Sequence, residues 1–248
     1  PMQRQHLIEI LNDLLHPELF KDYAPNGLQV EGKSEISRIV TAVSATQNVL
    51  DQALALKADA LLVHHGWFWR GENPAVVATK YRRLKTLMSG EINLIAYHLP
   101  LDAHITLGNN AQMAQLLAAT DVAQGGENNF IWSGLVPPIT VQALASHLEK
   151  SLNRSPLVLG DQTKTVSRLA WCSGAAEDFF EEAIAMGADA YISGEATERT
   201  THLAREMHVP FLVCGHHATE RLGIKALSDW LCENHGLECI FVADENTN

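Results

Sequence analysis

The chain has 248 residues, of which 46% are hydrophobic and 19% are charged. This is the composition of a globular protein with an apolar core, and it excludes a disordered chain, a collagen and a coiled coil. The net charge of −11 disfavours general binding to nucleic-acid phosphates. Unbroken apolar runs such as residues 60–63 are too short to cross a bilayer, and residues 1–10 lack an apolar signal core. We therefore expect a cytoplasmic protein with no membrane partner.

Apolar, β-branched runs alternate with amphipathic segments along the chain, which is typical of an α/β protein with a largely parallel sheet. The predicted strands are, in chain order, 38–43, 60–63, 92–97, 168–172, 190–193, 210–214 and 238–242. The predicted helices lie near 46–57, 75–89, 108–118, 140–152, 175–186, 196–207 and 219–235. The segment after residue 97 is predicted to be a loop, because Pro100 disfavours a regular helix.

The chain contains an internal repeat. Residues 38–65 align without a gap with residues 168–195, at a constant offset of 130. The order of strand, helix and strand is the same in both segments, so we interpret the repeat as a duplication. The identical pairs include Arg38 with Arg168, Ala58 with Ala188, Asp59 with Asp189 and Ala60 with Ala190.

A second match follows at an offset of 118, where His98 aligns with His216 and Asp102 with Glu220. The stretch 123–130, rich in glycine and asparagine, is predicted to be a linker. We therefore predict two similar α/β halves, residues 1–127 and 128–248, built from duplicated strand–helix units with mixed, largely parallel sheets.

Histidines and acids gather just past three predicted strands. Ligands bind at the carboxyl ends of parallel strands, so we expect these groups at one edge of a sheet. A single histidine in such a place is usually structural, but three groups at equivalent places favour a metal site. Imidazole and carboxylate without thiolate suit ions such as Mn, Fe or Zn. The three groups are His64 with His65, His98 with Asp102, and His216 and His217 with Glu220.

The number of candidate ligands exceeds what one catalytic ion requires, and it suits two divalent ions bridged by a carboxylate and a water or hydroxide. Neighbouring side chains on a strand point in opposite directions, so His64 and His65 would serve different ions only if the backbone turns. Gly66 gives the backbone that freedom. Glu220, on the first turn of a helix, is the predicted bridge.

Several residues near these groups have two interpretations. His98 could orient ligands or transfer protons, or it could be a hydrogen-bonded structural histidine. Glu195 is the repeat equivalent of His65 and is a weaker candidate for contacting a ligand. Asn26 and Gln29 could line the pocket, although turn formation alone explains them.

Two further clusters have ordinary explanations that we favour. The aromatic side chains of residues 67–69 could stack on a planar substrate, but packing against a neighbouring subunit is favoured. Lys80, Arg82, Arg83 and Lys85 could bind phosphate, but a solvated helix face is favoured.

The segments NGLQV, HHGWFW, HLPLDAH, LGNN and GHHATE, in this order, resemble the NIF-three-like family, also labelled the GTP cyclohydrolase 1 type 2 homologue family, in its short bacterial form. The resemblance implies two divalent metal ions per chain, of Fe, Mn, Zn or a similar metal. It also implies a toroidal homohexamer whose sites face an inner cavity. Carried over onto this sequence, the family's metal ligands are His64, His65, Asp102, His216 and Glu220.

We predict a dinuclear metal-dependent hydrolase in which a metal-bridging hydroxide is the nucleophile and His98 manages protons. The substrate is expected to be a small molecule, with a purine nucleotide as the candidate that the family label suggests. The alternative is a protein without enzymatic activity. Such a protein would handle metal or form a ring-shaped scaffold that contacts nucleic acid through residues 80–85, although the net charge disfavours nucleic acid.

Overall fold

A computed structural model describes residues 1–244, and within it the chain forms two compact units. The first unit contains residues 1–108 and 223–244, and the second contains residues 109–222. This division differs from the predicted halves, 1–127 and 128–248, because the chain passes from the second unit back to the first within the helix His216–His235.

The strands and helices follow in chain order. The strands are β1 (Met2–Gln3), β2 (Gly27–Val30), β3 (Glu35–Ile36), β4 (Arg38–Ser44), β5 (Ala60–His65), β6 (Asn93–Ala96), β7 (Thr120–Gly125), β8 (Ile131–Thr140), β9 (Leu157–Leu159), β10 (Thr165–Cys172), β11 (Ala190–Ser193), β12 (Phe211–Val213) and β13 (Glu238–Phe241). The helices are α1 (Arg4–Leu15), α2 (Gln47–Ala55), α3 (Ala78–Ser89), α4 (Leu99–Asp102), α5 (Asn109–Leu116), α6 (Val141–Leu152), α7 (Phe180–Ala185), α8 (Glu198–Met207) and α9 (His216–His235). The mixed α/β class is confirmed, and each predicted strand and helix has a counterpart here.

In the first unit, the main sheet has the order β13-β4-β5-β6-β2, in which only β2 is antiparallel to its neighbour. Alternate residues of β5 point to opposite faces, and both faces are buried. Leu61 packs with apolar residues of α2 and α3, whereas Leu62 packs with those of α1 and α9. Helices on both faces of a parallel sheet leave the carboxyl ends of its strands as the place where a site can form.

In the second unit, the sheet has the order β7-β8-β10-β11-β12-β9. Its central strands β10, β11 and β12 are parallel, and the outer pairs are antiparallel. Trp171 lies in a core with α5 and α6, and Tyr191 lies in a second core with α7 and α8. This unit therefore has the same layered arrangement as the first.

The sequence repeat is also present in the structure, in the strand register and in side-chain hydrogen bonds. Ile39 of β4 pairs with Ala60 of β5, and Leu169 of β10 pairs with Ala190 of β11, so the register is kept at the offset of 130. Asp59 accepts hydrogen bonds from the backbone N–H groups of residues 37 and 38, at 2.9 and 3.0 Å. Its counterpart Asp189 does the same with residues 167 and 168, at 3.0 and 2.9 Å.

Two local predictions were wrong. The stretch 123–130 is not a linker, because it ends β7 and turns into the antiparallel strand β8. Its Gly126, Asn128 and Asn129 have positive φ angles, so glycine and asparagine here serve a tight turn. The segment after residue 97 forms the short helix α4, since Pro100 lies in its first turn, where no helical N–H is needed.

None of the helices within residues 1–244 combines the length and the apolar character needed to span a bilayer.

Candidate metal centre

The first unit brings three histidines together at the carboxyl ends of β5 and β6. His64 and His65 are the last residues of β5, and His98 follows β6. Their ligand nitrogens all lie within 4.8 Å of one another. His64 is fully buried, while His65 and His98 are partly exposed. This is the arrangement expected of side chains that can hold a metal ion.

Gly66 does not act as predicted. Strand β5 extends through His65, and the ring centroids of His64 and His65 are 4.5 Å apart without any left-handed turn at Gly66. A Cβ atom at Gly66 would collide with Oε1 of Gln29. Gln29 in turn accepts a hydrogen bond from the backbone N–H of Trp67 at 2.8 Å. Glycine is therefore required here for close packing.

Helix α4 carries Asp102 next to this group. Nε2 of His64 lies 3.4 Å from Oδ1 of Asp102. The backbone N–H of Asp102 donates to the carbonyl of His98 at 3.2 Å, which sets the carboxylate one helical turn from the His98 ring. The first unit thus combines imidazole and carboxylate in one place.

A buried carboxylate that the sequence did not suggest, Asp22, lies behind His98. Its Oδ1 is 2.8 Å from Nδ1 of His98, and its side chain is 3% exposed. Burial by itself would raise the pKa of Asp22. Hydrogen bonds from His98, the Asn26 amide and the backbone N–H groups of Leu99 and Tyr23 outweigh burial and lower the pKa from 3.8 to about 2.

In the second unit, His216 lies between two carboxylates. It begins α9, and its Nδ1 is 2.7 Å from Oε1 of Glu195, which follows β11. Its Nε2 is 2.9 Å from Oε1 of Glu220, one turn further along α9. The hydrogen bond to Glu220 is the main cause that raises the pKa of His216 from 6.5 to about 9, with Glu195 adding to it and burial opposing it.

Glycine backbones shape the space around His216. Gly174 follows β10 with φ +73°, and a Cβ atom there would lie 2.6 Å from Oε1 of Glu220 and 3.5 Å from Nε2 of His216. Gly215 has φ +96°, and a Cβ atom there would collide with the guanidinium of Arg154. The polar atoms of His216 and Glu220 therefore lie close to the Gly174 backbone, where a side chain would crowd them.

The four histidines share one feature, which is that Nδ1 of each has a polar neighbour. Nδ1 of His64 lies 3.1 Å from the carbonyl oxygen of Tyr97, and Nδ1 of His65 lies 3.2 Å from Oγ of Ser44. The partners of His98 and His216 are the carboxylates described above. The partners of His64, His98 and His216 are a carbonyl or carboxylates, which only accept, so Nδ1 of these three must donate and Nε2 becomes the metal-binding nitrogen. The Ser44 hydroxyl can donate or accept, so it allows either tautomer of His65.

The donor atoms fit divalent metal ions. They are imidazole nitrogens and carboxylate oxygens, a set that suits Mn, Fe, Co and Zn. Cys172 and Cys214 are buried, whereas Cys232 is exposed. Burial raises the pKa of Cys214 to about 12, so that thiol is a poor source of a thiolate ligand.

The aromatic segment divides into two roles. Trp67 is a core residue, 7% exposed, whose Nε1–H donates to the carbonyl of Ala45 at 3.0 Å. Trp69 is partly exposed, and its ring centroid lies 5.1 Å from that of His98 and 6.0 Å from that of His65. Trp69 is therefore the aromatic residue of this segment that borders the histidine group.

Two lysines of the basic cluster on α3 have neighbours within the chain. Nζ of Lys80 is 3.1 Å from Glu72 and 5.0 Å from the centre of the Phe68 ring. Nζ of Lys85 lies 5.7 Å from the centre of the Tyr81 ring. These contacts agree with the favoured interpretation of a solvated helix face.

Sequence reasoning missed Asp22 and Ser44, both of which contact a histidine of the site. Asp22 precedes the duplicated segments, so no repeat position marks it. Ser44 ends β4, beside β5, and only the parallel pairing of Ser44 with His65 indicates its contact. A search for polar residues at the ends of neighbouring strands would have found Ser44 but not Asp22.

The fold and these side chains define a class, which is a two-unit α/β protein with histidine and carboxylate groups able to bind metal. The chain belongs to the Duf34/NIF3 (NGG1p interacting factor 3) family, which matches residues 2–248, and the predicted family is thereby confirmed.

Relatives and solved structures agree with this assignment. A Salmonella typhimurium relative named GTP cyclohydrolase 1 type 2 homolog is 50% identical over 242 residues, covering 97% of this chain and 98% of the relative. The structure of protein ybgI, described as of unknown function, has a TM-score of 0.93 at 47% identity and covers 100% of both chains. TTHA1606 from Thermus thermophilus has a TM-score of 0.88 at 32% identity, again covering 100% of both chains.

Proposed function

We propose that the protein is a hydrolase that works with two divalent metal ions. The proposed ligands are those of the family resemblance, namely His64, His65, Asp102, His216 and Glu220. The observation that carries the proposal is the group of imidazole nitrogens of His64, His65 and His98 within 4.8 Å, with the Asp102 carboxylate beside it. When bound, two such ions would supply an activated water and stabilise negative charge in the transition state.

The roles of the side chains follow from their surroundings. His64, with Nδ1 against the Tyr97 carbonyl, presents Nε2 as a neutral ligand. His216 gives up its Nε2 proton when it becomes a ligand, while the contact of Nδ1 with Glu195 holds the ring. His98 is partly exposed and has a carboxylate behind it, so it can accept a proton from water and return it to a leaving group.

The substrate class follows from the relatives and from the border of the site. Relatives are named GTP cyclohydrolase 1 type 2 homologs, so GTP is the first compound to test. A planar base would find the partly exposed ring of Trp69 next to His98. Arg70 is exposed beside it, with its guanidinium 5.9 Å from the centre of the Tyr23 ring, and it offers a positive charge for phosphate.

The test is metal-dependent turnover. Protein stripped with a chelator and reloaded with Mn²⁺, Fe²⁺, Co²⁺ or Zn²⁺ is incubated with GTP and with other nucleotides, and products are separated by chromatography. We expect turnover only after reloading, and its loss in His64→Ala and Glu220→Gln. The control is His202→Ala, an exposed histidine on α8 paired with Glu198, which should behave as wild type. Equal turnover in the stripped protein, or in His64→Ala, would exclude the proposal.

Metal analysis of the same samples distinguishes the hydrolase from the second candidate, a protein without enzymatic activity. If the protein binds about two ions per chain but turns over no substrate, it binds metal without catalysis. Binding of DNA in a gel shift, weakened by Arg82→Glu with Arg83→Glu, would instead support the nucleic-acid scaffold.

We also propose that copies of the chain assemble into a ring, as the family resemblance suggests. Support comes from exposed apolar side chains around α3, because such surfaces are often covered by a partner. Val77 is 62% exposed, Met88 57% and Tyr81 45%. Light scattering on a sizing column should give a hexamer for wild type and smaller species for Val77→Asp with Tyr81→Glu. A monomeric wild type would contradict the ring. The cytoplasmic location stays a prediction.

A further inference from the structure

Asp22 makes an unusual number of contacts for a carboxylate outside the predicted site. Its Oδ1 accepts from the backbone N–H of Tyr23 at 2.7 Å and lies 2.8 Å from Nδ1 of His98. Its Oδ2 accepts from the backbone N–H of Leu99 at 2.9 Å and from the side-chain amide of Asn26 at 3.0 Å. Burying a carboxylate is costly, and these four donors offset that cost.

Two of these hydrogen bonds reach residues 98–102, the segment that contains His98 and Asp102. One reaches the ring of His98, and the other reaches Leu99, the first residue of α4. Helix α4 ends at Asp102, whose carboxylate faces His64. A single buried carboxylate therefore holds both the His98 ring and the start of the helix that presents Asp102.

We propose that Asp22 is a positioning residue that keeps His98 protonated at Nδ1 and turns its Nε2 toward the His64 and His65 nitrogens. A carboxylate only accepts hydrogen bonds, so Nδ1 must donate, and in neutral imidazole Nε2 then keeps its lone pair. That lone pair is what His98 needs to bind an ion or to accept a proton. The metal-related part of this proposal rests on the proposed function, whereas the state of the His98 ring does not.

The neighbouring Asn26 provides a way to separate positioning from simple support. Its Oδ1 accepts from the backbone N–H of His98 at 2.8 Å, so it holds the main chain and not the ring. Asn26→Ala removes this backbone contact and one donor to Oδ2 of Asp22, and it leaves Oδ1 of Asp22 in place as the partner of the ring. Asp22→Asn keeps the shape of the side chain but can donate to Nδ1, which would move the ring proton to Nε2.

The experiment measures directly which nitrogen of the His98 ring carries the proton. Protein labelled with ¹⁵N-histidine and freed of metal is studied by NMR at a pH where imidazole is neutral, and His98→Gln identifies the resonance. We expect the Nδ1–H form in wild type and in Asn26→Ala, and the Nε2–H form in Asp22→Asn. The control Asp59→Asn alters a carboxylate that also accepts backbone N–H groups in the first unit, and it should leave His98 unchanged. An Nε2–H form in wild type would overturn the proposal even if Asp22→Asn failed to fold.

Zinc titration of the same proteins extends the test to the site. We expect Asp22→Asn to bind Zn²⁺ about 10 to 100 times more weakly than wild type, because Asp22 holds the start of α4, which presents the proposed ligand Asp102. If wild type binds no zinc while the ring proton still moves in Asp22→Asn, the proposed function fails and the positioning role stands. If zinc binds equally to both and the ring proton does not move, the positioning role fails alone.

Discussion

The two units have one scaffold but different side chains at the ends of equivalent strands. β4 and β5 in the first unit pair in the same register as β10 and β11 in the second. At this shared edge the offset of 130 relates Ser44 to Gly174, His64 to Gly194 and His65 to Glu195. The first unit thus has two imidazoles where the second has a glycine and a carboxylate.

Because of this difference, equivalent positions in the two units have different structural roles. Gly194 packs so closely that a Cβ atom there would lie 2.5 Å from the carbonyl oxygen of Gly174, so it leaves no space for a ligand side chain. Glu195 instead contacts Nδ1 of His216 and orients it. In the first unit the equivalent partner of His98 is Asp22, which comes from outside the repeat. The two units therefore share the scaffold, while the carboxylate partners of His98 and His216 come from different positions in the chain.

The largest expected effect comes from removing one histidine in each unit. On the proposed function, His64→Ala and His216→Ala should each lose at least one bound ion, with affinity falling by more than about 100-fold. Elemental analysis of protein dialysed against Zn²⁺ measures the metal per chain, with His202→Ala as the control. If only one variant loses metal, the other histidine is not a ligand and the proposed ligand set is wrong.

The second prediction concerns pH in the metal-free protein. Because the folded-state pKa of His216 is raised from 6.5 to about 9, protonated His216 stabilises the fold below pH 6.5, and this stabilisation is lost as pH rises through about 9. Zn²⁺ must displace this proton, so its affinity should rise by about tenfold per pH unit over the same window. NMR titration and zinc binding measure both, and Glu220→Gln should move the pKa back toward 6.5.

Asp22 in the first unit should show the opposite dependence. Its folded-state pKa is lowered from 3.8 to about 2, so its stabilisation is present above pH 3.8 and is lost as pH falls through about 2. Acid unfolding followed by circular dichroism should show this contribution in wild type and not in Asp22→Asn. Identical acid transitions in the two proteins would contradict it.

The fourth prediction compares two glycines with similar backbones. Gly174→Ala and Gly236→Ala both place a side chain at positive φ, +73° and +63°, and each should cost about 1–2 kcal/mol of stability. Only Gly174→Ala adds a methyl group next to Glu220, since nothing lies within 4 Å of a Cβ atom at Gly236. We therefore expect zinc affinity to fall, by about tenfold, in Gly174→Ala alone. Equal losses in both variants would show that backbone strain, and not contact with Glu220, is responsible.

The smallest expected effect tests the shared scaffold. Asp59→Asn and Asp189→Asn each weaken hydrogen bonds from two backbone N–H groups, so each should destabilise its own unit by about 0.5–1 kcal/mol. Hydrogen exchange of the amides of Arg38 and Arg168 measures each unit separately. Strongly unequal losses of stability would show that Asp59 and Asp189, although equivalent in position, do not contribute equally to the stability of their units.

Much of the fold could be predicted because its signals are local. Apolar alternation located β4, β5, β10 and β11, and the repeat predicted their equivalence, which the register confirms. The sequence pattern missed the helix α1 and six strands, which are β1, β2, β3, β7, β8 and β9. β7 is exposed along most of its length, so it lacks the apolar pattern of a buried strand. Pro100 was misinterpreted because its effect depends on its position within a helix.

The candidate site, like the fold, could be predicted from the sequence only in part. The histidines and acids of the motifs were visible in the sequence, because residues with this chemistry rarely gather by accident at the ends of strands. Their partners were not visible, because Asp22 and His98 lie 76 residues apart and meet only when the chain folds. The sequence by itself determined the family, the layered α/β units and the identity of the candidate ligands. Only the tertiary structure decided which nitrogen His64, His98 and His216 present, since that depends on an acceptor brought by another part of the chain.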